Sequence, residues 1–276
     1  MKIQSPLYLL VALLVATGCS LVENYDDPEG PRYAAEFAAR LEGGAAELEE
    51  FTVCTFNIEF AQDIEQAIHE LQTNPQLSSC AVLLLQEMDW PGSQSIAEAL
   101  LLDVVYYPGS VHSGKDFGNA VLSSWPIVTD AKLVLPHRNP TNGRIRIAVS
   151  ATLDAPFAPL TVFSVHTDTP WLGPAARLEQ AEAIAADAAR FEGPIVVGGD
   201  FNTLDPGAVD ATVGRFTSRH FTWATEDAPD TGSAGVLGTV KIDHLFVREL
   251  RVTAAGTEPT EASDHQPLWA TLRTRP

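Results

Sequence analysis

The chain has 276 residues, with 17 Lys+Arg against 36 Asp+Glu and a formal net charge of −19. Its 45% hydrophobic and 19% charged residues are an ordinary globular mixture, which excludes a disordered or collagenous chain and suffices for a sizeable core. The acidity argues against duplex binding through a broad basic face, because that affinity rests mostly on Lys and Arg neutralising phosphates. A divalent cation in a carboxylate-lined site could still bring a phosphate in locally.

In chain order, the first element is an export signal. Lys2 gives a minimal basic start, and Leu7 to Ala16 form an apolar run too short to span a bilayer as a mature helix. The run ends in Ala16-Thr17-Gly18-Cys19, which resembles a bacterial lipobox. On that reading residues 1–18 are a signal peptide and Cys19 is lipidated as the first residue of the mature chain. A plain signal peptide that takes Cys19 away with it is the alternative, and both readings export the protein. Ser20 behind the cysteine resembles the sorting pattern for the outer membrane of a two-membrane bacterium. Residues 19–50 are acidic and turn-prone, then Ala/Glu-rich, and poor in large apolar residues, so they read as a tether. From residue 51 to 276 the composition stays globular without a second break, which predicts one domain.

Within it, Phe51–Asn57 reads as a strand, Asp63–Leu71 as a helix, Ala81–Gln86 as a buried strand, Ser95–Leu102 as a helix and Asn119–Ser123 as a strand. Arg144–Leu153 and Leu160–His166 read as apolar strands around a Pro-containing turn, Pro174–Phe191 as a helix, and Ile195–Gly199 as a buried strand. Thr239–Val247, Leu250–Thr253 and His265–Arg273 complete the list. Buried strands alternating with helices predict the α/β class. Cys54 and Cys80 could form a disulfide in an oxidising compartment. Strands aligned with Asn57 level with Glu87 would, however, put them ~13 Å apart, beyond a disulfide's reach. Both are therefore expected as buried thiols.

Five of these strands finish in residues a buried strand should not carry: Asn57 with Glu59, Gln86-Glu87, His166, Gly199-Asp200-Phe201-Asn202, and Lys241-Ile242-Asp243-His244. Ser263-Asp264-His265 precedes the last strand. Any one of them alone would be a helix cap, a solvated charge or a structural histidine. Independent caps need not recur at the same strand ends, so together they read as a catalytic site. Thr55-Phe56-Asn57-Ile58, Leu85-Gln86-Glu87, Gly118-Asn119-Ala120-Val121-Leu122-Ser123, Ser164-Val165-His166, Gly198-Gly199-Asp200-Phe201-Asn202, Ile242-Asp243-His244 and Ser263-Asp264-His265 also carry a resemblance. In this order and spacing the chain from Phe51 to Leu272 resembles the endonuclease/exonuclease/phosphatase superfamily, which includes pancreatic-type DNase. The resemblance implies a four-layer α/β sandwich, two packed β-sheets flanked by helices.

It further implies Mg²⁺, with Mn²⁺ as a substitute, bound by Glu87 with the neutral carbonyl of Asn57 beside it and Asp264 as a further contact; hard oxygen ligands suit such ions. No Cys/His cluster has zinc spacing, which argues against Zn²⁺. By the same resemblance Asp200 orients or deprotonates the attacking water. Asn202, on the same side of an extended segment, gives its amide to the phosphate. His265, its ring fixed by Asp243, stabilises negative charge, and His166 is a general acid to the leaving group. Asn119 either lines the site or is a structural amide, and Arg144 either approaches the phosphate or forms a surface salt bridge. His244 is expected to be structural, Arg177 and Gln180 to tie a helix to the sheet, and Trp171 to overhang the cleft.

The leading functional expectation is a membrane-anchored, monomeric, metal-dependent phosphoester hydrolase with nuclease-like phosphodiesterase chemistry. A sphingomyelinase-like lipid phosphodiesterase and a small-molecule phosphatase are alternatives, so the partner is a nucleic acid, a phospholipid headgroup or a small phosphate. A non-catalytic binding lipoprotein is the alternative from a different class, and the filled catalytic positions disfavour it.

Overall fold

The structure is a computed structural model and describes residues 22–39, 50–233 and 238–274. The signal peptide, Cys19 and the Ala/Glu-rich stretch over 40–49 lie outside the described residues. The strands and α-helices run β1 (Tyr33–Ala35), β2 (Glu50–Asn57), α1 (Ile64–Thr73), β3 (Cys80–Met88), α2 (Trp90–Leu100), β4 (Asp103–His112), β5 (Lys115–Ser123) and β6 (Ile127–Val134). They continue with β7 (Ile147–Ala155), β8 (Ala158–His166), α3 (Pro174–Ala188), β9 (Ile195–Asp200), α4 (Pro206–Thr217) and β10 (Thr222–Trp223). The last are β11 (Gly232–Ser233), β12 (Thr239–Val240), β13 (Asp243–Arg248), β14 (Leu250–Thr257) and β15 (Leu268–Thr274).

One sheet has the order β1-β4-β5-β3-β2-β15-β14 and the other β10-β13-β9-β8-β7-β6. Within these two sheets only the β2–β3 and β8–β9 pairs are parallel. The inner faces meet in a core of Val53, Leu84, Val121 and Leu268 from the first sheet with Val149, Val162, Val196 and Leu245 from the second. The outer face of the first sheet packs under α1 and α2 through Phe56, Leu85, Leu71 and Ile96. The outer face of the second packs under α3 and α4 through Phe163, Val197, Ile184 and Phe216. Strands buried on both faces explain the unbroken apolar runs, and the fold is the expected four-layer α/β sandwich.

Two expectations fail. Residues 22–39 do not stand off the domain: β1 pairs with β4, Tyr25 N–H donates to Gly109 O at 2.9 Å, and Arg32 grips Asp130 at 2.6 Å. Tyr33 stacks on Trp90 at 5.5 Å, so a few aromatic and charged anchors dock a segment whose composition suggested a tether. The second failure concerns the cysteines, since Cys54 and Cys80 form a disulfide with a Cα–Cα distance of 6.0 Å. The register is the cause. Asn57 is level with Gln86 rather than Glu87, and an irregularity after the Thr52–Cys80 pair brings Cys80 diagonally beside Cys54. Bridging residues 26 apart in sequence contributes about 3 kcal/mol through the entropy of the unfolded chain.

Candidate active site

The parallel pairs bring the site together. β2 ends at Asn57 level with Gln86 near the end of β3, and β8 and β9 end side by side at His166 and Asp200. β13 runs antiparallel to β9 and begins level with its end, pairing Asp243 with Asp200. Gly199, at φ 151°, is required here, because a Cβ on it would lie 1.9 Å from Val165 O. The last loop is fixed by Ser263, whose hydroxyl donates to Asn57 O at 2.7 Å and accepts from His265 N–H at 3.1 Å.

Asp200 is the centre of the site, and it is buried. Its Oδ1 accepts from Asn202 N–H at 2.8 Å; its Oδ2 accepts from Asn57 Nδ2 at 3.1 Å and Asn202 Nδ2 at 3.2 Å. His166 Nε2 and His265 Nε2 stand 3.4 and 3.9 Å from the same Oδ2. Burial raises the Asp200 pKa to about 7 against the opposing charge of His265. His265 Nδ1 is 2.9 Å from Asp243 Oδ2, which also accepts from Thr231 Oγ1 at 2.5 Å. Burial works against the imidazolium, but the charge and hydrogen bond of Asp243 override it and raise the His265 pKa to about 10. At neutral pH the site therefore holds an imidazolium facing a carboxylate poised near its pKa.

Glu87 sits across the cluster, with Oε1 3.8 Å from His166 Nε2 and Oε2 accepting from Phe60 N–H at 3.1 Å. Burial raises its pKa too, outweighing the positive charges of Arg146 and His265 and the hydrogen bond from Phe60, so its charged form is under-compensated. Asn57 Oδ1 is buried with no hydrogen-bond partner. An orphan carbonyl beside an under-compensated carboxylate is a donor set that fits a hard divalent cation. Asp200, Asp243 and His265 form a second candidate group, with ligand atoms within 4.8 Å of one another.

The family model for the endonuclease/exonuclease/phosphatase family matches residues 54–265. The chain belongs to that family. The fold of a family member from Beutenbergia cavernae matches with a TM-score of 0.66 at 21% identity, over 82% of this chain and 72% of that one. The mannosyl-6-phosphatase of Bacteroides thetaiotaomicron matches with a TM-score of 0.61 at 20% identity, over 80% and 99%. A UPF0294 protein of Vibrio vulnificus is 31% identical over 90 residues, 33% of this chain and 31% of its own length. The chain thus spans about a third of the curated relatives it matches.

Within this family fold, Asn57, Glu87, His166, Asp200, Asn202, Asp243 and His265 meet at one end of the sandwich. Several expected roles change. Asn202 is not on an extended segment: φ is 51°, and its amide folds back onto Asp200 Oδ2 and Thr167 O, where it orients Asp200. Asn119 is buried and donates to Ile147 O and Ser164 O, 3.0 and 3.1 Å away, stitching the two sheets as a structural amide. Gln86 does likewise through Ser164 Oγ at 3.0 Å. Arg144 lies against His112 rather than in a surface salt bridge. Asp264 is 65% exposed at the mouth, 4.0 Å from His265 Nε2.

His166 departs furthest from expectation. Arg146, which sequence reasoning did not single out, places NH1 3.3 Å from His166 Nδ1. A guanidinium only donates, so Nδ1 accepts and the ring proton sits on Nε2. Burial, reinforced by Arg146, pushes the His166 pKa well below its ordinary value. A neutral ring whose sole proton is on Nε2 is a hydrogen-bond donor to an anion, not a general acid. Arg146 also lies 3.7 Å from buried Asp168, and its only signal in the sequence was a charge inside the apolar stretch Arg144–Leu153 read as a strand. His244 is structural, bonded to Thr203 Oγ1 at 2.8 Å; Gln180 ties α3 to Asp168 N–H at 2.8 Å; Trp171 is 75% exposed after β8.

These groups set a pH window. A proton-accepting role for Asp200 would require it ionised, at pH above about 7, and a cationic role for His265 would require it protonated, at pH below about 10. Log kcat/KM against pH is expected to be bell-shaped, rising through the first value and falling through the second. A flat profile from pH 5 to 11 contradicts the pairing.

Proposed function

We propose that the chain is an exported, divalent-metal-dependent phosphoester hydrolase that cleaves phosphodiesters by direct attack of water. The carrying observation is the convergence of Asp200, His265–Asp243 and the Glu87–Asn57 pair on one cluster, with Asn57 Nδ2 3.1 Å and His265 Nε2 3.9 Å from Asp200 Oδ2 and Glu87 Oε1 3.8 Å from His166 Nε2. Asp200 orients the attacking water and takes its proton. His265, held protonated by Asp243, meets the negative charge that develops on the phosphoryl oxygens. His166 donates its Nε2 hydrogen bond from the other side. Glu87 and Asn57 Oδ1 would hold Mg²⁺ or Mn²⁺, which supplies positive charge against the phosphate.

The net charge of −19 favours small phosphodiesters over long polyanions. The disulfide supports export, since such bonds persist in oxidising compartments. A lipid anchor on Cys19 would act close to the site. Glu23, four residues on, accepts from Val111 N–H at 2.9 Å, next to His112. That length of chain reaches at most about 14 Å, so the anchor would hold this side of the cleft near the membrane.

Glu87→Gln tests the metal assignment. Losing even an outer partner of a metal ligand typically costs about 10–100-fold in affinity, so losing the carboxylate is expected to raise the Mg²⁺ half-saturation at least about tenfold. Direct Mn²⁺ titration provides a readout independent of turnover. An unchanged titration removes Glu87 from the ligand set.

A further inference from the structure

Beside Glu87 lies a cleft of about 320 Å³ whose walls include Phe60, His112 and Phe117, with Gln62 and Lys115 at its edges. The three rings form a continuous aromatic surface: Phe60–His112 centroids are 4.4 Å apart, and Phe60–Phe117 and His112–Phe117 are each 5.7 Å apart. Phe117 in turn lies 5.8 Å from His166, so this surface leads directly into the hydrolytic cluster.

Core packing does not account for Phe60, which belongs to none of the three hydrophobic cores, whereas Phe117 is itself buried. Phe60 is 39% exposed, and it adopts φ 56°, ψ 24°, a left-handed conformation that costs a non-glycine residue about 1–2 kcal/mol. Its N–H bond to Glu87 Oε2 helps to hold that conformation, so the backbone that orients Glu87 also presents an open ring beside it. The surface is backed by positive charge. Arg144 contacts His112 and Arg146 stacks 5.2 Å over Phe117, while Lys115 at the rim is paired with Asp89 at 3.9 Å and Asp116 also lines the cleft. Cations gathered here in a strongly acidic chain favour an anion carrying a flat group, because aromatic faces and guanidinium planes both stack on planar rings.

We propose that this cleft is a specificity subsite for a planar heteroaromatic group borne on the phosphate that is cleaved. The proposal rests on the phosphoester hydrolase reading of the neighbouring site. Its volume suits one such group rather than a long acyl chain, and the polar edges from Gln62 and Lys115 suit ring nitrogens and carbonyls more than a hydrocarbon.

Calorimetric titration with adenosine 5′-monophosphate and with ribose 5-phosphate tests it without requiring turnover. Stacking of one base on aromatic side chains predicts about five- to a hundredfold tighter binding of the nucleotide. Phe60→Ala is expected to abolish most of that preference and Phe60→Trp to restore it. Equal affinities in the unaltered chain overturn the proposal. So does a Phe60→Ala variant that weakens both ligands alike, which would assign Phe60 to the phosphate site. A single-stranded pentanucleotide identifies the source of the ring: tighter binding than the mononucleotide points to an oligomer end, equal or weaker binding to a free nucleotide. Turnover of bis-p-nitrophenyl phosphate judges the hydrolase reading separately, so the two can fail independently.

Discussion

Asp200→Ala is expected to lower kcat by about 10²–10⁴-fold, the usual worth of a positioned general base. The carboxylate has no substitute in the cluster. Glu87 faces His166 and Phe60 N–H, and Asp243 is committed to His265 and Thr231. Its pKa of about 7 puts it where a base is most effective, partly ionised near neutral pH yet basic enough to take a proton from water. The fold should survive. Asp200 ends its strand, and the apolar core beneath it comes from Val196 and Val197. The loss leaves the Asn57 amide and the Asn202 backbone N–H without this acceptor, a penalty of about 1–3 kcal/mol each where they stay dry, while the Asn202 side chain keeps Thr167 O. Kinetics with circular dichroism on the same sample separates the effects: near-normal turnover by a folded variant contradicts the assignment.

His265→Ala is expected to lower kcat by about 10²–10³-fold, because it removes the cation that meets developing negative charge. Asp243 acts through that ring and contributes no separate contact with the substrate. The double variant Asp243→Ala/His265→Ala is therefore expected to be no slower than His265→Ala alone. Asp243→Asn adds a readout that mere destabilisation would not give. Without the carboxylate's charge the His265 pKa drops, and the alkaline limb of the pH profile moves down from about 10. Additive losses in the double variant, or an alkaline limb that stays in place, contradict the pairing.

The α/β class was legible because the strands are buried on both faces, and the polar residues at their ends carried the resemblance that implied the sandwich. Where sequence failed, the deciding contacts are long-range. β4 carries Pro108 and Gly109 in its interior, which conceals it, yet it pairs along its length with β5. α4 opens with an Asp205 cap and Pro206, but Gly and β-branched residues weaken its helical pattern. The disulfide depended on a single-residue irregularity between β2 and β3, which no pattern of apolar residues encodes. The Asp200, Asp243 and His265 positions were legible as motifs. The tautomer of His166 was not, since Arg146 reaches it from the turn before β7. Nor was the φ of Asn202, which turns an expected phosphate contact into a brace for Asp200.

The most direct test of the central claim is hydrolysis of bis-p-nitrophenyl phosphate by the purified chain with Mg²⁺, with Mn²⁺ and with EDTA. The account predicts turnover with either ion, its abolition by EDTA and its loss in Asp200→Ala. Turnover that persists in EDTA, or none from folded protein with either metal, contradicts it.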